Sequence, residues 1–332
     1  MTIRERQERD EEARLSPYAA LSSRSAGRAH PISTCDLRTC YQRDRDRIIH
    51  CKSFRRLKYK TQVFLTPMGD HYRTRLTHTL EVSQVARTLA RSLRLNEDLT
   101  EAAALGHDLG HTPFGHIGES TLNRLLPGGF RHNEQSLRVA ERLENDGQGL
   151  NLCRETLDGI LNHSGQNEPK TLEGWCVRRA DRIAYINHDI DDAIRGGILK
   201  PFELPRRCLS VLGETHGERI DTMIRDIVTT SMDQPFVRMS EEVRQASEEL
   251  RAFLFEYVYH DEWRKKEEAR CDYILSALYE HYLAHPEQLP AEYLEINFTE
   301  GAERAVCDFI ACMTDRYAID QVSEIFVPGA FG

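Results

Sequence analysis

The sequence lacks any long hydrophobic run, which is the first constraint on the kind of protein it encodes. A membrane-spanning helix needs about 18 or more consecutive apolar residues, and no segment of the 332-residue chain approaches that length. Residues 1–15 are charged throughout and contain no apolar core, so they do not have the pattern of a signal peptide. We therefore expect a cytoplasmic protein with no membrane partner.

Cysteine pairs of the CxxC type are also missing, although the chain contains nine cysteines. Their number is odd and their positions are scattered, from Cys35 near the start to Cys312 near the end. This usage predicts reduced thiols that fill the core rather than a disulfide framework or a cysteine-based zinc site.

An excess of positive charge is absent, because the formal net charge is −9. General nucleic-acid-binding proteins usually carry a basic excess, so we expect nucleic acid at most as an effector. One stretch, residues 38–60, is nevertheless rich in Arg and Lys. It is either a solvated helix face or a positive wall for a polyanionic ligand, and composition alone does not distinguish the two.

Alternation of apolar and polar residues with period two, which marks β-strands, is nearly absent as well. Apolar residues instead recur at three- and four-residue spacing, as in a helix that buries one face. We therefore predict an all-α helical fold with a helical C-terminal extension. The predicted helices are 77–93, 96–108, 117–126, 132–145, 153–163, 172–195, 216–231, 240–259, 262–284 and 301–317.

The best candidate for a strand is a short ribbon formed by residues 61–65 and 71–75, which flank several turn-forming residues. No internal repeat and no low-complexity linker divides the chain. We interpret residues 1–35 as a flexible polar arm and residues 36–332 as a single domain, with its core at about residues 50–200.

Histidine is abundant, with fourteen residues in the chain, and five of them lie between residues 78 and 132. The densest group follows the dipeptide His107-Asp108 and includes His111 and His116. Imidazole nitrogen and carboxylate oxygen together suit a divalent metal ion. The glycines and the proline between residues 110 and 115 are expected to end the helix there, at the border of a pocket.

Helix geometry places further ionisable residues on inward faces. His78 lies four residues before Val82, and Asp181, Tyr185 and Asp189 follow one another at four-residue spacing. Taken singly, each of these residues is explained as a buried polar residue whose hydrogen bonds are satisfied, or as part of an acidic helix face exposed to solvent. Taken together, they favour a functional site.

These residues resemble the H…HD…D signature of the HD superfamily of metal-dependent phosphohydrolases. The flanking sequence is more specific and looks like that of deoxyguanosine-triphosphate triphosphohydrolases. The matching segments are 54–64, 75–82, 106–119, 130–136, 171–174 and 179–189.

The resemblance implies hydrolysis of a deoxynucleoside triphosphate, dGTP and possibly other dNTPs, to the deoxynucleoside and inorganic triphosphate. It implies a divalent metal (Mg²⁺, Mn²⁺ or another transition metal) as cofactor, and a homo-oligomer built from dimers, up to a hexamer. By position, the metal ligands would be His78, His107, Asp108 and Asp181, and the catalytic residues His116, Glu119 and His132. The substrate-binding residues would be Gln62, Arg75, His111, Arg182, Tyr185 and Asp189.

Two alternatives remain at this point. The first is another HD phosphohydrolase, such as a nucleotidase, a (p)ppGpp hydrolase or a cyclic-nucleotide phosphodiesterase. The second is a dNTP sensor that retains the fold without turnover. Product analysis separates them, because only a triphosphohydrolase releases intact triphosphate.

Overall fold

Helices form nearly all of the regular structure. The structure, a computed structural model, describes residues 1–62, 73–257 and 262–328, with side chains in the last range from residue 265 onward. Within these ranges the chain forms sixteen α-helices and no β-sheet, and two isolated antiparallel bridges join Arg28 to Cys153 and Thr61 to Thr74. The predicted all-α fold is thereby confirmed.

The helices are numbered here in chain order. They are α1 (Ile3–Arg14), α2 (Cys40–His50), α3 (Lys52–Arg56), α4 (Arg75–Ser92), α5 (Glu97–Gly106), α6 (Gly115–Leu125), α7 (His132–Arg138), α8 (Arg154–Leu161), α9 (Leu172–Arg195), α10 (Arg206–Leu212), α11 (His216–Ser231), α12 (Glu241–Tyr257), α13 (Glu262–Ala284), α14 (Ala291–Glu300), α15 (Ala302–Cys312) and α16 (Asp315–Phe326).

The chain divides into two compact units. Unit 1 consists of Met1–His50, His78–His107 and Asn151–Asp261. Unit 2 consists of Cys51–Thr77, Asp108–Leu150 and Glu262–Gly332. The interpretation of residues 36–332 as a single domain stays a prediction.

Unit 1 is organised around α9, which packs against α5, α8, α11 and α12. The side chain of Asn96 caps α5 by accepting a hydrogen bond from the backbone N–H of Leu99. Glu97 and Asp98 in the first turn of α5 add favourable interactions with the helix dipole. Helix α5 in turn packs against α2 and α8, so that its C-terminal end is held inside the unit.

The N-terminal arm contains a helix, α1, that the apolar pattern did not reveal. This helix buries none of its side chains, and a capping box between Thr2 and Glu5 closes its first turn. The segment after α1 is held by a hydrogen bond. The backbone N–H of Ala20 donates to the buried carboxylate of Glu173 at 2.9 Å. The arm is therefore helical over α1 and hydrogen-bonded to α9.

Unit 2 has its own apolar core, in which α13 packs against α6, α15 and α16. The predicted helix 301–317 is in fact two helices, α15 and α16. The chain becomes extended at Met313, and Thr314 starts α16 by accepting a hydrogen bond from the backbone N–H of Tyr317. Of the predicted ribbon, the bridge between Thr61 and Thr74 is present, and residues 63–72 lie outside the described ranges.

Candidate active site

Three predicted metal ligands of unit 1 come together on α4, α5 and α9. His78 lies one turn into α4, His107 directly follows α5, and Asp181 lies in the middle of α9. The Oδ1 atom of Asp181 is 3.1 Å from Nε2 of His78 and 3.8 Å from Nε2 of His107. Both histidines are buried, whereas the side chain of Asp181 retains about a quarter of its exposure. The sequence-based grouping of these three residues is therefore reproduced in space.

A backbone carbonyl fixes the orientation of His107. Its Nδ1 atom lies 2.6 Å from the carbonyl oxygen of Ala104, and a carbonyl oxygen can only accept a hydrogen bond. Nδ1 therefore carries the proton, and the lone pair of Nε2 points toward Asp181. Metal-binding histidines are typically oriented in this way, through the nitrogen that does not bind the metal.

A further histidine, His163, lies beside this group and was not predicted. Its ring is 4.9 Å from that of His107 in an edge-to-face arrangement, and its Nδ1 lies 2.7 Å from the carbonyl oxygen of Ile160. His163 lies two residues after the end of α8, outside any apolar helix face. The sequence pattern therefore did not mark it as a site residue.

The electrostatics of Asp181 favour its ionised form. Burial would raise the pKa of this carboxyl, but the hydrogen bond with His78 and the nearby imidazoles of His107 and His163 outweigh that effect and hold the pKa below its usual range. Unit 1 therefore presents one carboxylate and two imidazoles that face a common point.

The donors fit a divalent cation. With metal–ligand distances of about 2.1 Å, two ligands at a right angle lie about 3 Å apart, close to the 3.1 Å between His78 and Asp181. The 3.8 Å between His107 and Asp181 corresponds to a wider angle at the same ion. Mixed nitrogen and oxygen donors of this kind suit Mn²⁺, Fe²⁺ or Co²⁺, and with additional water ligands Mg²⁺.

The remaining predicted residues of unit 1 lie on α9 near Asp181. Arg182 and Tyr185 are half-buried, and Asp189 is fully buried. Their positions on the helix follow the predicted four-residue spacing for Tyr185 and Asp189. Their roles in substrate binding stay predictions.

The other predicted site residues lie in unit 2, and among them Arg75 forms two hydrogen bonds. Its guanidinium donates to Oδ2 of Asp108 at 2.8 Å and to the carbonyl oxygen of Gln62 at 3.2 Å. Arg75 and Asp108 are both buried, so this ion pair is shielded from solvent. The pair joins a predicted phosphate-binding residue to a predicted metal ligand.

The turn after Asp108 is shaped by a glycine that approaches α7 closely. A Cβ atom on Gly110 would lie 2.2 Å from the backbone nitrogen of Ser136, so no larger residue fits. The N–H of Gly110 donates to the hydroxyl of Ser136 at 2.9 Å. This close approach brings His111 next to α7, where its ring stacks on that of His132 with centroids 4.9 Å apart.

Glu119, on α6, is shared by two histidines. One of its carboxylate oxygens lies 2.9 Å from Nδ1 of His132, and the other lies 3.8 Å from Nδ1 of His116. The predicted pair of His116 and Glu119 is thus present at longer range, and His132 is the closer partner. His116 has about half of its side chain exposed, so it is accessible to a ligand.

These contacts set the charge of the cluster. Burial would raise the pKa of Glu119, but the nearby imidazole of His116 and the hydrogen bond with His132 hold it well below the usual range. Burial would lower the pKa of His132, but the hydrogen bond and charge of Glu119 raise it above the ordinary value. Burial, together with Arg75, lowers the pKa of His111 well below the usual range, so His111 is neutral beside a charged His132–Glu119 pair.

Two residues that were not predicted hold the turn from His111 to Phe114 in place. The ammonium group of Lys60, which is fully buried, donates to the carbonyl oxygens of His111 and Ala311, the latter at 2.8 Å. Asp315 at the start of α16 accepts a hydrogen bond from the backbone N–H of Phe114 at 3.0 Å. The partners in these contacts are about 50 to 250 residues apart in sequence. No local sequence pattern therefore predicts the contacts.

Comparisons with known proteins agree with this arrangement. The HD domain family matches residues 75–186, and the phosphohydrolase-associated domain family matches residues 237–324. In the described ranges, no helix combines the length and apolarity required to cross a bilayer. The two matched regions define the chain as an HD-domain protein with an associated helical region.

Several relatives are similar over their whole length. A deoxyguanosinetriphosphate triphosphohydrolase-like protein from Caldanaerobacter subterraneus subsp. tengcongensis is 59% identical over 328 residues, which cover 99% of this chain and 97% of the relative. Proteins with the same description from Clostridium perfringens strain 13 and Desulfatibacillum aliphaticivorans are 51% and 49% identical, each over 99% of this chain and over 98% and 99% of the relative. The chain therefore belongs to the family of deoxyguanosinetriphosphate triphosphohydrolase-like proteins, as the resemblance indicated.

Proposed function

We propose that the chain is a metal-dependent triphosphohydrolase that converts deoxynucleoside triphosphates to deoxynucleosides and inorganic triphosphate. The observation that carries this proposal is the convergence of His78 and His107 on one carboxylate oxygen of Asp181. Membership of the family supports the choice of a deoxynucleoside triphosphate as substrate.

His78, His107 and Asp181 would hold the divalent cation, with Asp108, the chain neighbour of His107, as the fourth ligand of the HD signature. A bound divalent cation supplies Lewis acidity, which neutralises charge on a phosphate oxygen and makes water more acidic. The substrate triphosphate is highly charged, and Arg75 and Arg182 are the arginines assigned to it.

The His132–Glu119 pair and His116 would move the protons. Water attacks the α-phosphorus, the bond between that phosphorus and the 5′-oxygen breaks, and the 5′-oxygen receives a proton as the deoxynucleoside leaves. Because Glu119 raises the pKa of His132, this imidazole keeps its proton to a higher pH than an ordinary histidine and is suited to act as an acid. The accessible His116, with Glu119 beside it, is the candidate for orienting the water.

Contacts with the sugar and its 3′-hydroxyl would come from Gln62, Tyr185 and Asp189. Contact of Tyr185 with the deoxyribose would exclude a 2′-hydroxyl and give selectivity for deoxynucleotides. Replacement of Tyr185 by Ala should then reduce the preference for dGTP over GTP, and an unchanged preference would refute this role.

Product analysis tests the proposed reaction directly. The purified protein is incubated with each of the four dNTPs and with GTP in the presence of Mg²⁺, Mn²⁺ or Co²⁺, and products are resolved by ion-exchange chromatography. We expect deoxynucleoside and intact triphosphate, and we expect Asp181→Asn to abolish both. Release of monophosphate and pyrophosphate, or stepwise loss of phosphate, would assign the chain to another HD activity. Tight dNTP binding without turnover would indicate a sensor.

A further inference from the structure

A chain of three contacts leads from the surface of unit 1 through the predicted metal ligand His78 to Asp181. Oε2 of Glu81 lies 2.8 Å from Nε2 of His188. Nδ1 of His188 lies 3.4 Å from Nδ1 of His78, whose Nε2 faces Asp181 at 3.1 Å. We propose that Glu81 and His188 are positioning residues that hold His78 in the orientation and tautomer required for metal binding.

A cation bound at Asp181 would take the place of any proton on Nε2 of His78, and the proton positions along the chain then follow from its other end at Glu81. Nε2 of His188 and Oε2 of Glu81 form an ion-pair contact, and because a carboxylate carries no proton to give, the proton at this end lies on Nε2 of His188. In a neutral His188 the other nitrogen, Nδ1, is then an acceptor, and it receives the proton on Nδ1 of His78. The lone pair of His78 Nε2 is thereby directed toward Asp181, where a cation would be bound.

The reverse arrangement is incompatible with a cation. If His188 donated from Nδ1, the proton of a neutral His78 would sit on Nε2 and form a hydrogen bond with Asp181 instead. Glu81 and His188 therefore favour metal binding only in the first arrangement. Residues that hydrogen-bond to the free nitrogen of a ligand histidine commonly select its tautomer in this way.

The placement of the residues supports this role over simple core filling. Glu81 lies one turn after His78 on α4, and His188 lies two turns after Asp181 on α9, so the helices that carry His78 and Asp181 each also provide a supporting residue. The side chain of His188 is almost completely buried, whereas that of Glu81 keeps 42% of its exposure. The rings of His78 and His188 meet edge to face, with centroids 5.6 Å apart.

This inference rests on the proposed metal centre, and the test separates the two. Mn²⁺ affinity is measured by isothermal titration calorimetry on the metal-free full-length protein without nucleotide, and the Co²⁺-loaded protein is examined by visible absorption. His188→Phe and Glu81→Met should weaken Mn²⁺ binding about 10- to 100-fold and alter the Co²⁺ spectrum. Glu81→Gln should bind within about threefold of the wild type, because its amide oxygen still accepts the proton of His188.

His216→Phe is the matched control, since the ring of His216 stacks near His188, with centroids 6.3 Å apart, and the proposed chain assigns it no role. Its Mn²⁺ affinity should equal that of the wild type. Wild-type affinity in both His188→Phe and Glu81→Met overturns the positioning role. If His188→Phe does not fold, the positioning role is tested by comparing Glu81→Met with Glu81→Gln. Equal Mn²⁺ affinities of these two variants overturn the positioning role. Failure of the wild type to bind Mn²⁺, or undiminished binding by Asp181→Asn, overturns the metal centre instead.

Discussion

His132 contacts Glu119 twice through the same carboxylate oxygen. Both its backbone N–H and its Nδ1 atom lie 2.9 Å from Oε1 of Glu119. The first contact fixes the start of α7 against α6, and the second fixes the ring. The charge and the position of this imidazole therefore depend on one carboxylate.

Glu119→Gln should lower the catalytic rate strongly. The amide can still accept a hydrogen bond, but without its charge the pKa of His132 falls, because burial is no longer offset by the carboxylate. We expect kcat for dNTP hydrolysis to fall by about 10²- to 10⁴-fold, the usual contribution of a positioned acid or base. Glu134→Gln is the control, because Glu134 is exposed on α7 and its nearest cation is Arg131 at 3.7 Å. A Glu119→Gln variant as active as this control contradicts the assignment.

The same substitution should change the pH dependence of stability. The folded-state pKa of Glu119 is lowered from 4.5, so its contribution is present above pH 4.5 and is lost as pH falls through the lowered value. The folded-state pKa of His132 is raised from 6.5, so its contribution is present below pH 6.5 and is lost as pH rises through the raised value. The difference in Tm between wild type and Glu119→Gln should therefore be largest between pH 4.5 and 6.5. Calorimetry showing a pH-independent difference would exclude the ion pair.

Much of the fold was predictable because its signals are local. The predicted bounds 172–195, 216–231 and 262–284 coincide with α9, α11 and α13, whose apolar faces repeat at helical spacing. The separation of α15 from α16 was missed, since the apolar pattern continues across Met313 and only the cap at Thr314 marks the break. Helix α1 has no buried face, so periodicity could not reveal it.

The candidate site also has a part that was predictable from the sequence and a part that was not. His78, His107 and Asp181 follow from helix faces and from the signature, and the structure brings them together. The supporting contacts do not follow, because they join residues far apart in sequence. The His78–His188 contact spans 110 residues, and the Lys60–Ala311 contact spans 251. Spacing can suggest that Glu81 lies one turn from His78, but only packing shows what it contacts.

Gly110→Ala should disturb the turn that carries His111. The added Cβ would lie 2.2 Å from the backbone nitrogen of Ser136 and 2.3 Å from the carbonyl carbon of Gln135, so backbone must move. Overpacking of this kind typically costs about 1–3 kcal/mol, and we expect a lower Tm together with reduced kcat. Gly217→Ala is the matched control, because its Cβ would meet nothing within 4 Å and Ala favours a helix. Equal Tm values for the two variants would show that the turn adapts without cost.

Asp315→Ala should destabilise the same turn from the opposite side. Asp315 accepts hydrogen bonds from the backbone N–H of Phe114 at 3.0 Å and of Thr61 at 2.9 Å, and from the hydroxyl of Thr61. Leaving such donors unpaired costs about 1–3 kcal/mol each where water cannot replace the carboxylate. Because Phe114 immediately precedes α6, which carries His116 and Glu119, we expect kcat to fall along with the Tm.

Asp320→Ala provides the comparison on the same helix. Asp320 is exposed and lies 3.7 Å from Arg316, a surface ion pair that contributes little to stability. Thermal unfolding should therefore show a clear loss for Asp315→Ala and a change within about 0.5 kcal/mol for Asp320→Ala. Steady-state kinetics then test whether the loss of thermal stability is accompanied by a lower kcat. A destabilised Asp315→Ala variant with unchanged kcat would mean that α16 stabilises unit 2 without positioning the residues of α6.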